Sequence, residues 1–277
     1  MKVWFITGCS TGFGRELAKV AAAKGDFVYG TVRQEAQMEA LEALAPGQIK
    51  ALLLDVTHPA TIKAGVQTAL DTHGQIDVLV NNAGYGSLGP LEVVEEEEMF
   101  RQFDVNVFGP VRLIQAVLPG MRARRSGHIL NITSIAGLNG FPGVGIYNGS
   151  KFALEGIGES LSHEVRPLGI HVTNVEPGPF RTDWAGRSAT YTRTQIADYE
   201  TTAIRNMESI ASVSGKQIGD PVRAAEAMYA LTELDKPPVH LPLGGPAYMR
   251  ARIKFGDILQ EIDDFEYLGL PTDYPEA

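Results

Sequence analysis

Seven short apolar runs recur along the 277 residues: VWFIT (3–7), FVYGTV (27–32), KALLLDV (50–56), IDVLVNN (76–82), HILNITS (128–134), IHVTNVEP (170–177) and VHLPL (239–243). Several are apolar throughout rather than alternating, and a strand of that kind must be covered on both faces. The cover lies between them, in the amphipathic stretches GRELAKVAAAKG (14–25), EAQMEALEALA (35–45), ATIKAGVQTALDTHG (60–74), GPVRLIQAVLPGMRARRSG (109–127) and KFALEGIGESLSHEVRPLG (151–169). Strand, helix, strand at this spacing predicts right-handed crossovers and an α/β fold built on a doubly wound parallel sheet, with 1–277 as a single domain. Residues 183–219 are rich in Ser and Thr and carry no strong strand pattern, so they read as an insertion with one or two helices. From 244 to 277 the chain reads as a C-terminal extension, a helix followed by the irregular LGLPTDYPEA. The acidic run Glu95–Glu98 reads as the solvated first turn of a helix, where carboxylates complement the dipole, not as a metal site.

Charge narrows the partners. A formal net charge of -9 argues against nucleic acid or an anionic membrane as a main partner. No run approaches the length of a membrane span, and MKVWFITG is too short in its apolar part for a secretion signal. Cys9 is the only cysteine, so no intrachain disulfide forms and a reducing, cytoplasmic setting is expected. The six histidines show no metal-ligand spacing, so no metal is assigned.

The first strand ends in Thr7-Gly8-Cys9-Ser10-Thr11-Gly12-Phe13-Gly14, and a helix follows. Glycines there allow a tight turn and close approach of backbone to a ligand, and the helix start offers free N–H groups to a pyrophosphate. The spacing is G-x-x-x-G-x-G rather than the common G-x-G-x-x-G. An acidic residue at the end of strand two would hold a ribose 2′-hydroxyl. The sequence there is Gly30-Thr31-Val32-Arg33, with no acid, and Arg33 fits a 2′-phosphate. NADP(H) is therefore expected in preference to NAD(H). Tyr147 and Lys151 stand four apart, one turn of a helix, and share a face.

Together these residues resemble the short-chain dehydrogenase/reductase family, in its shorter single-domain branch with a Rossmann fold. The match runs through Thr7-Gly8-x-x-x-Gly12-x-Gly14, Asp55, Asn81-Asn82-Ala83-Gly84, Asn106, Ser134, Tyr147-x-x-x-Lys151 and Pro177-Gly178. The resemblance implies an oxidoreductase that interconverts a carbonyl and a secondary alcohol by hydride transfer. Tyr147 would be the general acid/base. Lys151 would lower the phenol's pKa and bind the nicotinamide ribose, Ser134 would hold the substrate oxygen, and Asn106 would order a relay water. It also implies that Ser10, Thr11 and Phe13 of the loop contact the cofactor. Asp55 and Val56 would lie against the adenine, with Asn82, Ala83 and Gly84 on the adenosine side. Pro177, Gly178, Phe180 and Thr182 would border the nicotinamide.

The substrate pocket is expected between the 183–219 lid and the 134–147 segment, with Leu138, Phe141 and Trp184 as walls and Tyr85 nearby. Tyr191, Ile196, Tyr199, Ile204 and Met207 give the lid an apolar side, so an uncharged, medium-sized carbonyl or alcohol is expected. By the resemblance, the helices at 109–125 and 151–167 pair across a two-fold axis in a homodimer or homotetramer, through residues such as Val111, Ile114, Leu118, Phe152, Ile157 and Leu161. Two other readings keep the same fold: a cofactor-loaded sensor without turnover, and a nucleotide-sugar epimerase or dehydratase.

Overall fold

The computed structural model describes residues 1–274. In chain order its elements are β1 (Val3–Ile6), α1 (Gly12–Ala23), β2 (Phe27–Val32), α2 (Met38–Glu42), β3 (Ile49–Leu53), α3 (Pro59–His73), β4 (Val78–Asn81) and β5 (Gly86–Leu88). Then come α4 (Glu96–Phe103), α5 (Gly109–Arg124), β6 (Gly127–Ile132), α6 (Gly145–Val165), β7 (Ile170–Pro177) and β8 (Ala189–Tyr191). The chain closes with α7 (Arg205–Ser212), α8 (Pro221–Leu231), β9 (His240–Leu243) and α9 (Gly245–Gly269).

All seven predicted strands join one parallel sheet in the order β3-β2-β1-β4-β6-β7-β9. Side chains of one strand alternate between its two faces, so both faces need a helical layer. Trp4, Ile6, Val28, Val80, Leu130 and Val175 meet Leu17 and Ala21 of α1 and Met228 and Leu231 of α8. Phe5, Tyr29, Leu79, Ile129 and Val172 meet Ile62 and Val66 of α3, Leu113 and Val117 of α5, and Leu161 and Val165 of α6. The chain reverses its direction of travel across the sheet between β1 and β4. The crevice at the C-terminal ends of those strands is where such sheets take ligands.

Polar residues cross this apolar interior in one row. Asn81 of β4, Asn131 of β6 and Asn174 of β7 are in register and at most 2% exposed. Asn81 Nδ2 donates to Asn131 Oδ1 at 2.9 Å, and Asn131 Nδ2 donates to Asn174 Oδ1 at 3.0 Å. Asn174 Nδ2 then donates to the carbonyl and carboxylate of Glu155 on α6, at 3.0 and 2.8 Å.

The structure refines several local expectations. The helix carrying Tyr147 and Lys151 begins at Gly145, ahead of the amphipathic stretch at 151–169. The insertion is not strand-free: β8 pairs in parallel with β5, and each is only three residues long. Within the insertion α7 is the regular α-helix, joined to a π-helical turn at 200–204. On the helices expected to pair two copies, Ile114 and Leu161 are spent on the core, while Phe152 is 45% exposed. The acidic run does open a helix, with Glu96–Glu98 in the first turn of α4. The extension is helical through Gly269, and residues 275–277 of its tail lie outside the described residues. Among the described residues no helix is long and apolar enough to cross a membrane.

Candidate active site

The loop after β1 is tied to its neighbours on both sides. Cys9 N–H donates to the Thr31 carbonyl at 2.8 Å and Gly8 N–H to the Thr31 hydroxyl at 3.1 Å. On the other side the Thr7 hydroxyl accepts from the N–H groups of Asn82 and Ala83, at 3.0 and 2.9 Å, and Asn82 Nδ2 donates to the carbonyls of Thr7 and Gly8. Gly8 and Gly12 sit at φ 72° and 62°, in the left-handed region that glycine tolerates. A Cβ at Gly14 would stand 2.6 Å from the Gly8 carbonyl and 2.5 Å from Asn82 Nδ2, so this position closes the cradle. Thr11 precedes α1 with no side-chain cap, which leaves the first N–H groups of the helix free for an anionic ligand. Cys9 itself is fully buried, its thiol pushed up to about 12 by burial; it packs as a small apolar residue.

A cleft of about 1420 Å³ runs from this loop across the ends of β2, β4, β6 and β7. Every residue expected to contact the cofactor lines it except Gly14, which sits behind the loop. Arg33 is exposed at the nucleotide end. Burial acts to raise the Asp55 carboxyl, but hydrogen bonds from the Thr57 N–H and hydroxyl outweigh it and, with charge from His58 and Arg33, hold it below its usual range. Phe13 and Phe180 meet edge to face with centroids 5.2 Å apart, bridging the cleft behind the loop.

At the other end α6 delivers Tyr147 and Lys151 from one face, and the end of β6 delivers Ser134. Lys151 Nζ donates to the Ile132 carbonyl at 2.8 Å and lies 5.8 Å from the centre of the Tyr147 ring. Burial pushes the Tyr147 phenol up to about 12, and the Ser134 hydroxyl works against that shift. The Lys151 ammonium is pushed down to about 8 by burial, opposed by the Glu155 carboxylate. Burial dominates the phenol in this structure, where the Lys151 ammonium is engaged by the Ile132 carbonyl. Asn106 does not line the cleft. It sits in a π-helical turn at 104–108, where Nδ2 donates to the Tyr85 carbonyl and the Ser150 hydroxyl while Oδ1 accepts from Tyr85 N–H. A Cβ on Gly84 would meet Asn106 Oδ1 at 3.1 Å and Lys151 Nζ at 3.7 Å, so these three groups adjoin.

Phe141 and Trp184 form cleft walls as expected, with Tyr85. Leu138 does not. It turns away to pack on Ile135, Ala247 and Ala251 beneath α9, because the turn at 135–137 reverses the chain after Ser134. Of the lid residues, Met207, Trp184 and Tyr191 join Tyr147 and Leu88 in one apolar cluster, while the Tyr199 hydroxyl donates to Glu92 at 2.6 Å. Two groups were invisible in the sequence. Arg250 of α9 stacks 5.0 Å over the Phe141 ring at the edge of the cleft. His240 Nδ1 lies 2.8 Å from Glu176 and 3.4 Å from Glu155; these hydrogen bonds push His240 up to about 10, while burial pushes Glu176 up to about 7. The three residues come from β9, β7 and α6, so no spacing announces them.

A glycine cradle at the sheet's reversal point and a buried Tyr–Lys pair at the far end of one cleft define a nucleotide-dependent oxidoreductase. The family model for short chain dehydrogenase matches residues 2–192, and the chain belongs to that family, whose members act on CH–OH groups with nicotinamide cofactors. Oxidoreductase BOA17 of Botryotinia fuckeliana is 34% identical over 95% of this chain and 96% of its own. The 3-ketodihydrosphingosine reductase of Bacteroides thetaiotaomicron is 39% identical over 76% of each chain. A short-chain dehydrogenase from Streptomyces avermitilis shares the fold with a TM-score of 0.92 over 98% of both chains, at 38% identity. Family structures solved with NADP (a metagenomic oxidoreductase, 28% identity, TM-score 0.70, 87% of this chain and 96% of that one) and with NAD (Burkholderia phymatum, 26%, 0.81, 94% and 95%) are both similar.

Proposed function

We propose that this chain is an NADP(H)-dependent carbonyl reductase or alcohol dehydrogenase in which Tyr147 is the general acid/base. The observation that carries the reading is the placement of Ser134, Tyr147 and Lys151 on the wall of the same cleft whose other end is the glycine cradle. The cradle fits a dinucleotide pyrophosphate, and Arg33 with no carboxylate at Val32 favours a 2′-phosphate. When bound, the nicotinamide supplies the hydride chemistry.

The protein supplies position and a proton. Ser134 hydrogen-bonds the substrate oxygen. Tyr147, protonated at neutral pH because burial holds it near 12, donates to that oxygen as negative charge develops on it. Lys151 places a positive charge behind the phenol, which stabilises the phenolate left after transfer. Asn106 fixes the Tyr85 backbone and with it the wall beside Gly84 and Lys151. Trp184 and the lid exclude water from the phenol. Phe141, Val144, Trp184 and Ile210, members of the apolar cluster that also line the cleft, favour an uncharged, medium-sized carbonyl.

The test is NADPH oxidation against a panel of ketones and aldehydes, with the alcohols and NADP in reverse. Tyr147→Phe should abolish turnover and leave NADPH affinity nearly intact. Full activity in that variant, or NADPH binding without turnover on any carbonyl, sinks the reading, the latter in favour of a sensor.

A further inference from the structure

α9 is 25 residues long, yet only Ala247 and Ala251 are buried, where its first two turns meet β9 and the turn at 135–137. Beyond them the helix stands clear of the body. Phe255, Leu259, Ile262, Phe265 and Leu268 are each more than half exposed. Beyond the buried Ala251, the residues Phe255, Ile258, Ile262 and Phe265 recur at alternating intervals of three and four, the spacing of a seam that packs against another helix. A helix gains most of its stability from burying such a stripe, and contiguous exposed apolar strips mark interaction sites.

The charges on this helix name the occupant. Arg252 and Lys254 lie at the start of the free segment, whereas Asp257, Glu261, Asp263, Asp264 and Glu266 follow. No acidic residue occupies the first turn and no basic residue the last, so the pattern runs against the helix's own dipole and does not serve it. We infer that α9 pairs with α9 of a second copy of this chain, antiparallel, about a two-fold axis near Leu259. Antiparallel pairing sets Arg252 against Glu266 and Lys254 against Asp264 of the other copy, each made twice, which outnumbers the like pair of Asp257 with Glu261. Parallel pairing would set like against like. An anionic lipid surface would be repelled, because acidic residues outnumber basic ones along the exposed helix.

The pairing reaches the cleft. The helix that takes the partner also holds Ala247 against Gly178 and Arg250 over Phe141, both on cleft walls. A second copy therefore fixes the orientation of one wall of the site without contributing a residue to it. This surface is distinct from α5 and α6, which cover a face of the sheet, and the inference does not depend on the chemistry proposed above.

Light scattering coupled to size exclusion tests it on the full chain. One variant carries Arg252→Glu with Lys254→Glu; the other carries Asp264→Lys with Glu266→Lys. Each variant alone should have half the mass of the unsubstituted protein, and an equal mixture should recover that mass. Ile262→Glu, at an exposed position, should show the same halving with an unchanged circular dichroism spectrum. The inference is overturned if the unsubstituted protein runs at 29.9 kDa at micromolar concentration, if the charge variants keep its mass, or if their mixture does not recover it. It is also overturned if the protein sediments with phosphatidylcholine–phosphatidylserine vesicles and Ile262→Glu abolishes that while leaving the mass unchanged.

Discussion

The indole of Trp184 lies tilted against the phenol of Tyr147, with ring centroids 5.0 Å apart and planes at 49°. The lid is thus anchored to the proposed acid by an aromatic contact, and β5 leaves room for it at Gly86, where a Cβ would come within 2.6 Å of the indole. Trp184→Ala should open the apolar side of the cleft. KM for the carbonyl is expected to rise roughly tenfold, with NADPH affinity within about twofold of the original, because the indole walls the substrate end. Steady-state kinetics with both ligands varied decides it; a loss confined to NADPH binding would place Trp184 elsewhere in the mechanism.

Arg33 is exposed and free to meet a phosphate at the end of β2. Its charge-assisted hydrogen bonds to that group should favour NADPH by about 1.5–3 kcal/mol, or roughly 10- to 100-fold. Arg33→Ala should lower the NADPH-to-NADH ratio of kcat/KM by that factor, and Val32→Asp should move preference toward NADH. Tighter binding of NADH than NADPH by the unsubstituted protein would end this reading.

Activity should depend on pH through Lys151. Burial lowers its ammonium to about 8, so the charge is present below that value and is lost as pH rises through it. Tyr147, near 12, stays protonated over the same range. The value of kcat/KM for carbonyl reduction is therefore expected to decline above pH ~8, approaching tenfold per unit. In Lys151→Arg, where the guanidinium keeps its charge, that decline should move to higher pH even if the maximum is lower. An identical descending limb in the Arg variant would assign it to another group.

One substitution made twice on α6 should act with opposite signs. A Cβ at Gly149 would make an ordinary 3.6 Å contact with Phe103, so Gly149→Ala should stabilise the fold by up to about 1 kcal/mol through helix propensity. At Gly158 the same Cβ would overlap Asn174 Oδ1, and Asn174 is held on both sides by Asn131 and Glu155. Overpacking there should outweigh the propensity gain and destabilise by about 1–3 kcal/mol. Urea unfolding of the two variants separates the cases; stabilisation at Gly158 would show that the row can shift.

What could be read from the sequence follows its physical signal. The core strands announce themselves because a strand covered on both faces can be apolar at consecutive residues, as in Val3–Ile6 and at 78–80. The glycine cradle was legible because Gly8, Gly12 and Gly14 answer to backbone geometry that few other residues satisfy. β5 and β8 were not, since three residues cannot show a period. Leu138 was misplaced because its direction is set by a turn at Ile135–Gly137 that hydropathy does not encode. The burial that raises Tyr147 was not legible for a similar reason: spacing places Lys151 on its face but says nothing of how dry the ring is. Arg250 and the His240–Glu176–Glu155 group depend on contacts between distant elements, and only the folded chain brings them together.

The row Asn81, Asn131, Asn174 has a consequence for how the sheet assembles. A slip of one residue between β6 and either neighbour turns each asparagine toward the opposite face, among the apolar side chains of a helical layer. Each stranded amide would then cost about 1–3 kcal/mol, and a slip of β6 strands partners on both its sides. Without Asn131, the apolar residues Ile129, Leu130 and Ile132 would tolerate several alignments, because every one buries similar side chains. The three amides thus act as a proofreading device for the centre of the sheet. They leave a single alignment without a penalty, and with it the β4, β6 and β7 ends from which the cleft is built.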